Sequence, residues 1–578
     1  GTSSTWTGGA TPTTGDVAII TTGDVVSMAS GSLTLDGLRS AGTLDLNGGT
    51  LTVNGATTFT NNSTLALSGT GIWAGSGDIH NHGILTLNGG TLGGTGTAYV
   101  AMDGQIAITG SSVLNRRLEI DSAMAQLNGG TLSGTGTLAV TEDGMLTVRG
   151  DSTLSATLSL AATPDYAGTV EILAESAASR LTLTKSFTND GQIILNSSGI
   201  AGHSAGLALS SGTFTNAHLF TSTSNSVLNV LSATTVNTGT MQINGMGLDF
   251  AGISLTNAIG GVISVADIST LDINRAGASF INNGTLEGFG TIDVTGAGFT
   301  NNGLLRGGDD QVVGSLDIDG TVTLGANSTV EAYVGSNNGM DFSTLVNIDG
   351  QLNLNGILHI TGNGSDLDGN TQVLSWDSAS GSFSDIVGLD APLAGGWAYD
   401  IRFDGNGIHV GTLHQSQYET TGDDFIQGSM GAEALAGGAG NDTLFSGGGS
   451  DVIFGQDGND TIVLSDTDVH FVDGGAGIDT LSWYSPGPLD LTALRDELIQ
   501  RVEILDIGHA SVTLTAADVQ AMTEGTNGFT NTANTLVING NGGNVDFDDG
   551  AWTSGTNQTI NGDSYAVYSK DGVSVYVE

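Results

Sequence analysis

The sequence predicts an all-β protein: a long parallel β-helix, then a parallel β-roll, then a small, mainly-β cap with one or two short helices. Three observations predict it. The motif LNGGTL recurs at Leu46–Leu51, Leu87–Leu92 and Leu127–Leu132, at spacings of 41 and 40 residues. Residues 419–463 divide without a gap into five nonapeptides, and a sixth follows at Gly474–Ser482. Beyond Ser482 the period ends, and short alternating strands mix with two helix-like stretches.

Composition narrows the class. The 578 residues include 92 Gly, 5 Pro and no Cys, with a formal charge of −47. Apolar residues make up 38%, enough for a packed core rather than a disordered acidic chain. Only 12 basic residues argue against nucleic acid and anionic membranes as partners. The lack of Cys removes disulfides and thiol catalysis. No run of about 18 apolar residues is present, so no transmembrane segment is expected. The chain opens at Gly1 without a basic, apolar leader.

Residues 1–412 carry the longer period. Trp6, Pro12 and Asp16 precede strands at Val17–Ile20 and Asp24–Val26, and Trp6 is expected to cover an open end. TLGGTGTAYV at Thr91–Val100 returns as TLSGTGTLAV at Thr131–Val140, and FINNGTL at Phe280–Leu286 returns as FTNNGLL at Phe299–Leu305, 19 residues later. A period near 20 that doubles to 40 means one coil per ~20 residues and roughly 20 coils. Alternating strands such as Leu44-Asp45-Leu46 would stack inward Leu, Ile, Val and Phe, and Asn-Gly corners would turn the chain. β-Sandwich modules need about 100 residues each, so they fit this period poorly.

At residues 308–412 the order GSLDIDGTVTL, STLVNIDGQLNLNGILHI, TQVLSWDSASGSF and the strand Trp397–Arg402 resembles the end of autotransporter and filamentous-haemagglutinin-type passenger helices. The resemblance implies a helix that broadens and closes, and it places the family among surface adhesins. No membrane β-barrel pattern follows; the nonapeptides do.

Those nonapeptides are ETTGDDFIQ, GSMGAEALA, GGAGNDTLF, SGGGSDVIF, GQDGNDTIV and GGAGIDTLS. Position four is Gly in all six: Gly422, Gly431, Gly440, Gly449, Gly458 and Gly477. Position six is acidic in all six: Asp424, Glu433, Asp442, Asp451, Asp460 and Asp479. Position eight is Ile or Leu. Six residues would form a glycine turn that aims carbonyls and a carboxylate at a cation, and three would form a short strand. Two nonapeptides close a coil, so residues 18 apart stack. Asp424, Asp442 and Asp460 line one edge, Glu433 and Asp451 the other. Hard oxygen ligands suit Ca²⁺, with Asp457 a further candidate. From Glu419 to Asp479 there are 12 acids and no Lys or Arg, so the stack would repel itself without a cation. Glu433 is the weakest member because its side chain is longer. The pattern resembles the calcium-binding repeat of RTX proteins, which implies several bound Ca²⁺ ions.

In the tail, Leu491 to about Val502 predicts a helix capped by Asp490, and Thr515–Asp518 predicts a second, capped one. Strands are expected at Thr535–Ile538, Asn544–Phe547, Ser564–Tyr568 and Val573–Val577. Asp546, Asp548 and Asp549 form an acidic turn, either another calcium site or a plain turn. ILDIGHASVTLTAADV and VDFDDGAWTSG resemble the C-terminal regions of type I-secreted RTX proteins, which implies an uncleaved export signal read by the type I secretion machinery.

Catalytic constellations are sparse. Nine basic residues precede Gly411, and only Arg116 and Arg117 adjoin, with Glu119 a candidate partner. Asp309-Asp310 near Arg306 is the best carboxylate pair, read as loop acids over a catalytic dyad. His80 and His82 lack an identifiable third metal ligand. Arg149-Gly150-Asp151 is an integrin-type tripeptide that also reads as an ordinary turn. The expectation is a secreted, non-enzymatic calcium-binding protein, extracellular or on a bacterial surface: an adhesin or matrix component that contacts polysaccharide or another cell surface. A self-associating surface-layer or filament subunit is the first alternative, and a β-helix polysaccharide lyase or hydrolase the second.

Overall fold

The computed structural model describes residues 12–578 except 122, 142, 164–165, 224–225, 230–232, 310–311, 338–339, 363–366, 368–370, 390–396, 415–420, 524 and 541. Trp6, Asp310 and Glu419 lie outside the described residues. The chain forms two compact units: Gly1–Gly303 with Leu316–Gly320, and Leu304–Ser315 with Thr321–Glu578.

The first unit is a parallel β-solenoid. Its strands alternate buried and half-buried side chains, as in Thr43–Leu46 and Thr169–Ala174. One inward column runs Leu44, Leu65, Leu85, Ile106, Ala125, Leu146 and Val170, each in register with the next. All seven are buried. Leu87 and Leu127, from two LNGGTL copies, bracket Ile108, so the 40-residue repeat spans two coils. The first two strands are Val17–Ile20 and Val25–Met28.

The asparagines do more than turn corners, which corrects the sequence reading. Asn189, Asn216, Asn237, Asn257, Asn282 and Asn301 end inward-facing positions and are fully buried. Each Nδ2 donates to Oδ1 of the next at 2.6–2.7 Å, so the polar edge of the core is a continuous amide ladder. A buried amide costs little only when its bonds are made. Asn237→Ala removes the donor to Asn257 and the acceptor from Asn216 at once. It is expected to lower unfolding free energy by about 1–3 kcal/mol in denaturant titration of the whole chain. Arg116 works similarly: buried, it donates to the carbonyls of Gly77, Gly93 and Gly96 at 2.7, 3.2 and 2.7 Å. Arg117 instead pairs with Glu119 at 2.6 Å on the surface.

In the second unit, parallel stacking continues to Asp385–Val387 on Ile357–His359. Pairing then turns antiparallel, with Gly407–His414 between Thr371–Gly381 and Trp397–Asp404. The nonapeptides fold as a roll of two parallel sheets. Phe425–Gln427, Thr443–Phe445, Thr461–Leu464 and Thr480–Trp483 stack in one; Ala434–Ala439, Asp451–Asp457, Val469–Asp473 and Ile499–Gln500 stack in the other. The position-eight residues Ile426, Leu435, Leu444, Ile453, Ile462 and Leu481 fill the space between.

Strand stacking outlasts the sequence period. Ile504–Gly508, Thr535–Gly540 and Val573–Val577 extend the first sheet in parallel. The helix expected over Leu491–Val502 does not form. Two 3₁₀ turns, Leu491–Ala493 and Asp496–Leu498, stand there, and Asp490 makes no side-chain cap. Leu489–Asp490 pairs with Val512–Thr513, and Ile499–Gln500 with Val472–Asp473, so coils at both ends hold the backbone extended against its helical pattern. The second helix does form, at Ala516–Met522, with the Thr515–Asp518 capping box.

Candidate metal centre

The site is built by repetition along the roll's first edge. Oδ1 of Asp442 accepts the main-chain N–H of Asp424 at 2.7 Å. Oδ1 of Asp460 accepts that of Asp442 at 2.7 Å, and Oδ1 of Asp479 that of Asp460 at 2.8 Å. On the second edge, Oδ1 of Asp451 accepts the N–H of Glu433 at 2.9 Å. One oxygen of each carboxylate therefore locks coil to coil. The other does not: Oδ2 of Asp442, Asp451, Asp460 and Asp479 is buried with no hydrogen-bond partner among the described residues.

Four buried, unpaired anionic oxygens are costly unless a cation or proton joins them. The surroundings fit a cation. A Cβ placed on Gly437 or Gly455 would lie 2.5 Å from Oδ2 of Asp442 or Asp460 respectively, and would collide with the carbonyl oxygen of the next coil, Gly455 or Gly474. The space beside each Oδ2 is thus kept open by glycine and edged by a carbonyl. Among the described residues no three Asp, Glu or His side chains converge on one point, so a cation here would draw mainly on main-chain oxygens and the stacked carboxylates.

The position-four glycines explain the tightness of the turn. Gly440, Gly458 and Gly477 have φ of +137°, +147° and +146°, and a Cβ on any of them would strike the coil before. Gly449 has φ of +100°. Gly422 and Gly431 face no such clash, because they belong to the first coil. The remaining acids vary. Asp424 is half-buried at the start of its column. The carboxylate of Glu433 folds back on Ser429, accepting its N–H at 3.0 Å and its hydroxyl. Asp457 is exposed and lines a cleft with Asp473 and Arg501.

Two features escaped sequence reading. Position five forms its own ladder, in which Asp423, Asn441 and Asn459 accept the N–H of Asn441, Asn459 and Ile478 at 2.7–2.9 Å. Glu503, outside every nonapeptide, accepts the N–H of Asp479 at 2.7 Å through Oε2. The recurrence of Asp or Asn at position five was visible in the sequence; nothing local to Glu503 marked it.

Burial pushes these acids up: Asp451 and Asp479 to about 7, Asp460 to about 6, and Asp442 in the same direction. Neighbouring carboxylates add to each shift. In the unfolded chain these carboxyls lose their protons near pH 4, whereas in the folded roll Asp451, Asp460 and Asp479 lose theirs only at about 6–7. Between these values the folded state holds more protons, so calcium-free stability falls as pH rises. In chelator, the roll's melting temperature is expected to rise when pH is lowered from 7.5 to 5. A flat or opposite profile would contradict the burial argument.

The other sequence candidates do not assemble into a centre. His80 stacks on Tyr99, and His82 pairs with Asp103 at 2.8 Å. Asp309 accepts the N–H of Val312, within its own loop, at 2.9 Å. Arg149 pairs with Glu175 at 2.7 Å inside the strand Met145–Leu154. Asp549 accepts the N–H of Ala516 at 2.9 Å and the Trp552 indole N–H at 2.8 Å, with Lys570 at 2.9 Å, and these contacts outweigh burial and hold its carboxyl down at about 2.

Fold and columns together define a cation-binding β-solenoid. Residues 420–444 and 427–462 match the family model of the RTX calcium-binding nonapeptide repeat, in its four-copy form. The chain carries this repeat on a parallel β-solenoid, and the repeat marks a secreted calcium-binding protein. A search of curated proteins finds no match. No helix among the described residues is long and apolar enough to cross a membrane.

Proposed function

We propose that this protein is a non-enzymatic adhesin or extracellular matrix component whose calcium acts as a folding switch. The unpaired Oδ2 atoms of Asp442, Asp451, Asp460 and Asp479 carry this reading. They are the acidic ligands, with Asp424 at the entry of the first column and main-chain carbonyls of the glycine turns completing each shell. Weak extracellular calcium modules bind at about 10⁻⁴–10⁻³ M, above the level inside a cell, so the roll stays open before export and closes outside. The solenoid then supplies the contact surface, for a polysaccharide or another cell.

The test is calcium-dependent binding of the purified protein to a panel of surface polysaccharides, with chain length of the glycans followed in the same samples. Retention of intact glycan only with calcium is the expected result. Shortened glycan would make the protein an enzyme. Ordered arrays on addition of calcium, seen by electron microscopy without glycan binding, would make it a surface-layer or filament subunit.

A further inference from the structure

The first-edge column does not stop with the last nonapeptide. Three positions along it have one construction. At Gly437 an added Cβ would meet Oδ2 of Asp442 and the carbonyl of Gly455; at Gly455, Oδ2 of Asp460 and the carbonyl of Gly474. At Gly474 it would meet Oδ2 of Asp479, at 2.9 Å, and the carbonyl of Arg501. The third carbonyl comes from outside the repeats. So does the carboxylate that follows Asp479 in the column, since Oε2 of Glu503 takes the N–H of Asp479 as each Asp takes that of its predecessor.

The chain reaches this arrangement by a shortened turn. Asp473 is in register with Gln500, and Thr480 with Ile504. The six residues 474–479 of one coil are therefore matched by only Arg501, Val502 and Glu503 in the next. Arg501 adopts φ of +50°, an unusual angle for a side-chain-bearing residue, and this backbone turns its carbonyl to the column. Its guanidinium points elsewhere, to Asp473, at 2.7 Å from Nε, and to Asp385 at 3.7 Å. The longer Glu side chain spans what three missing residues leave. Asp479 is fully buried, and its Oδ2 has no partner among the described residues.

We infer that a further divalent-cation site, of the hard-oxygen class that takes Ca²⁺, lies between the last nonapeptide and the tail. Asp479, Glu503 and the Arg501 carbonyl form it. The site couples the tail to the calcium state of the roll, because Val502 and Glu503 lead directly into Ile504–Gly508, the strand that pairs with Thr480–Trp483 and carries the first sheet beyond the repeats. This rests on the calcium reading of the roll proposed above.

The experiment is calcium titration of the full chain by calorimetry and by equilibrium dialysis, comparing wild type, Asp460→Asn and Glu503→Gln. Glu503→Gln should bind one ion fewer than wild type while the other ions bind with unchanged affinity. Unchanged stoichiometry in Glu503→Gln, with Asp460→Asn impaired, overturns the inference alone. No calcium bound by wild type overturns the reading of the whole roll. Should Glu503→Gln fail to fold, Glu503→Asp decides: its shorter arm should raise half-saturation about tenfold for one ion only. Wild-type affinity at every site in that variant overturns the inference.

Discussion

Chelating calcium is expected to unfold the roll and its tail while leaving the first unit intact. The strands from Phe425 to Val577 share one apolar core with the carboxylate columns, and repulsion among unpaired Oδ2 atoms acts on all of it. Among its described residues the first unit has no such column; from Asn189 to Asn301 its buried polar edge is a neutral amide ladder. Limited proteolysis in chelator should therefore leave a resistant fragment that keeps the first unit and ends upstream of Phe425. Far-UV circular dichroism should show partial loss, restored by calcium. A cation that binds only the folded state adds about 2.7 kcal/mol per site at a hundredfold excess over Kd, so three sites contribute about 8 kcal/mol, comparable to the whole stability of an ordinary domain. Equal protease resistance of both units with and without calcium would refute the switch.

The second large effect is a change of sign. Asp460 lies mid-column, accepting from Asp442 and donating its own N–H to Asp479. Asp460→Asn keeps an oxygen for the Asp442 N–H and loses the charge. In chelator the variant should melt a few degrees higher than wild type, because a buried anion with like neighbours is gone. In calcium it should melt lower, with half-saturation raised at least tenfold, about 1.4 kcal/mol. Asp460→Ala loses both oxygens and should be less stable in both conditions. Differential scanning calorimetry of the three proteins, with calcium and with chelator, reads both signs. An Asn variant that melts like wild type in both conditions, with only Ala destabilised, would mean that the carboxylate serves only as a hydrogen-bond acceptor.

Much of this was legible in the sequence because solenoids write their geometry as a period. Gly at four, acid at six and Ile or Leu at eight each map to one place in every coil, and the 40-residue repeat of LNGGTL maps to two coils. What stayed hidden depends on stacking rather than on spacing. The buried asparagines look like corner residues, since Asn and Gly adjoin in both settings; only the register shows the side chains meeting one another. Residues 491–502 carry a helical stripe, yet neighbouring coils take Leu489–Asp490 and Ile499–Gln500 as strands. Glu433 occupies the right position, but its extra methylene lets it turn to Ser429. Glu503 joins the column across a turn of different length, which no fixed period can reveal.

The alternation of the two edges also governs how such a gene can change length. Each Oδ1 accepts from the residue 18 positions earlier, not nine. Loss of a single nonapeptide would move every downstream carboxylate to the opposite edge and bring Asp442 and its successors opposite the wrong neighbours. Loss of two would leave the pattern in phase. Viable insertions and deletions within residues 421–463 should accordingly come in blocks of eighteen. Phase can change only where a coil departs from that length, as between Asp460 and Asp479, 19 residues apart, or between Asp479 and Glu503, 24 apart.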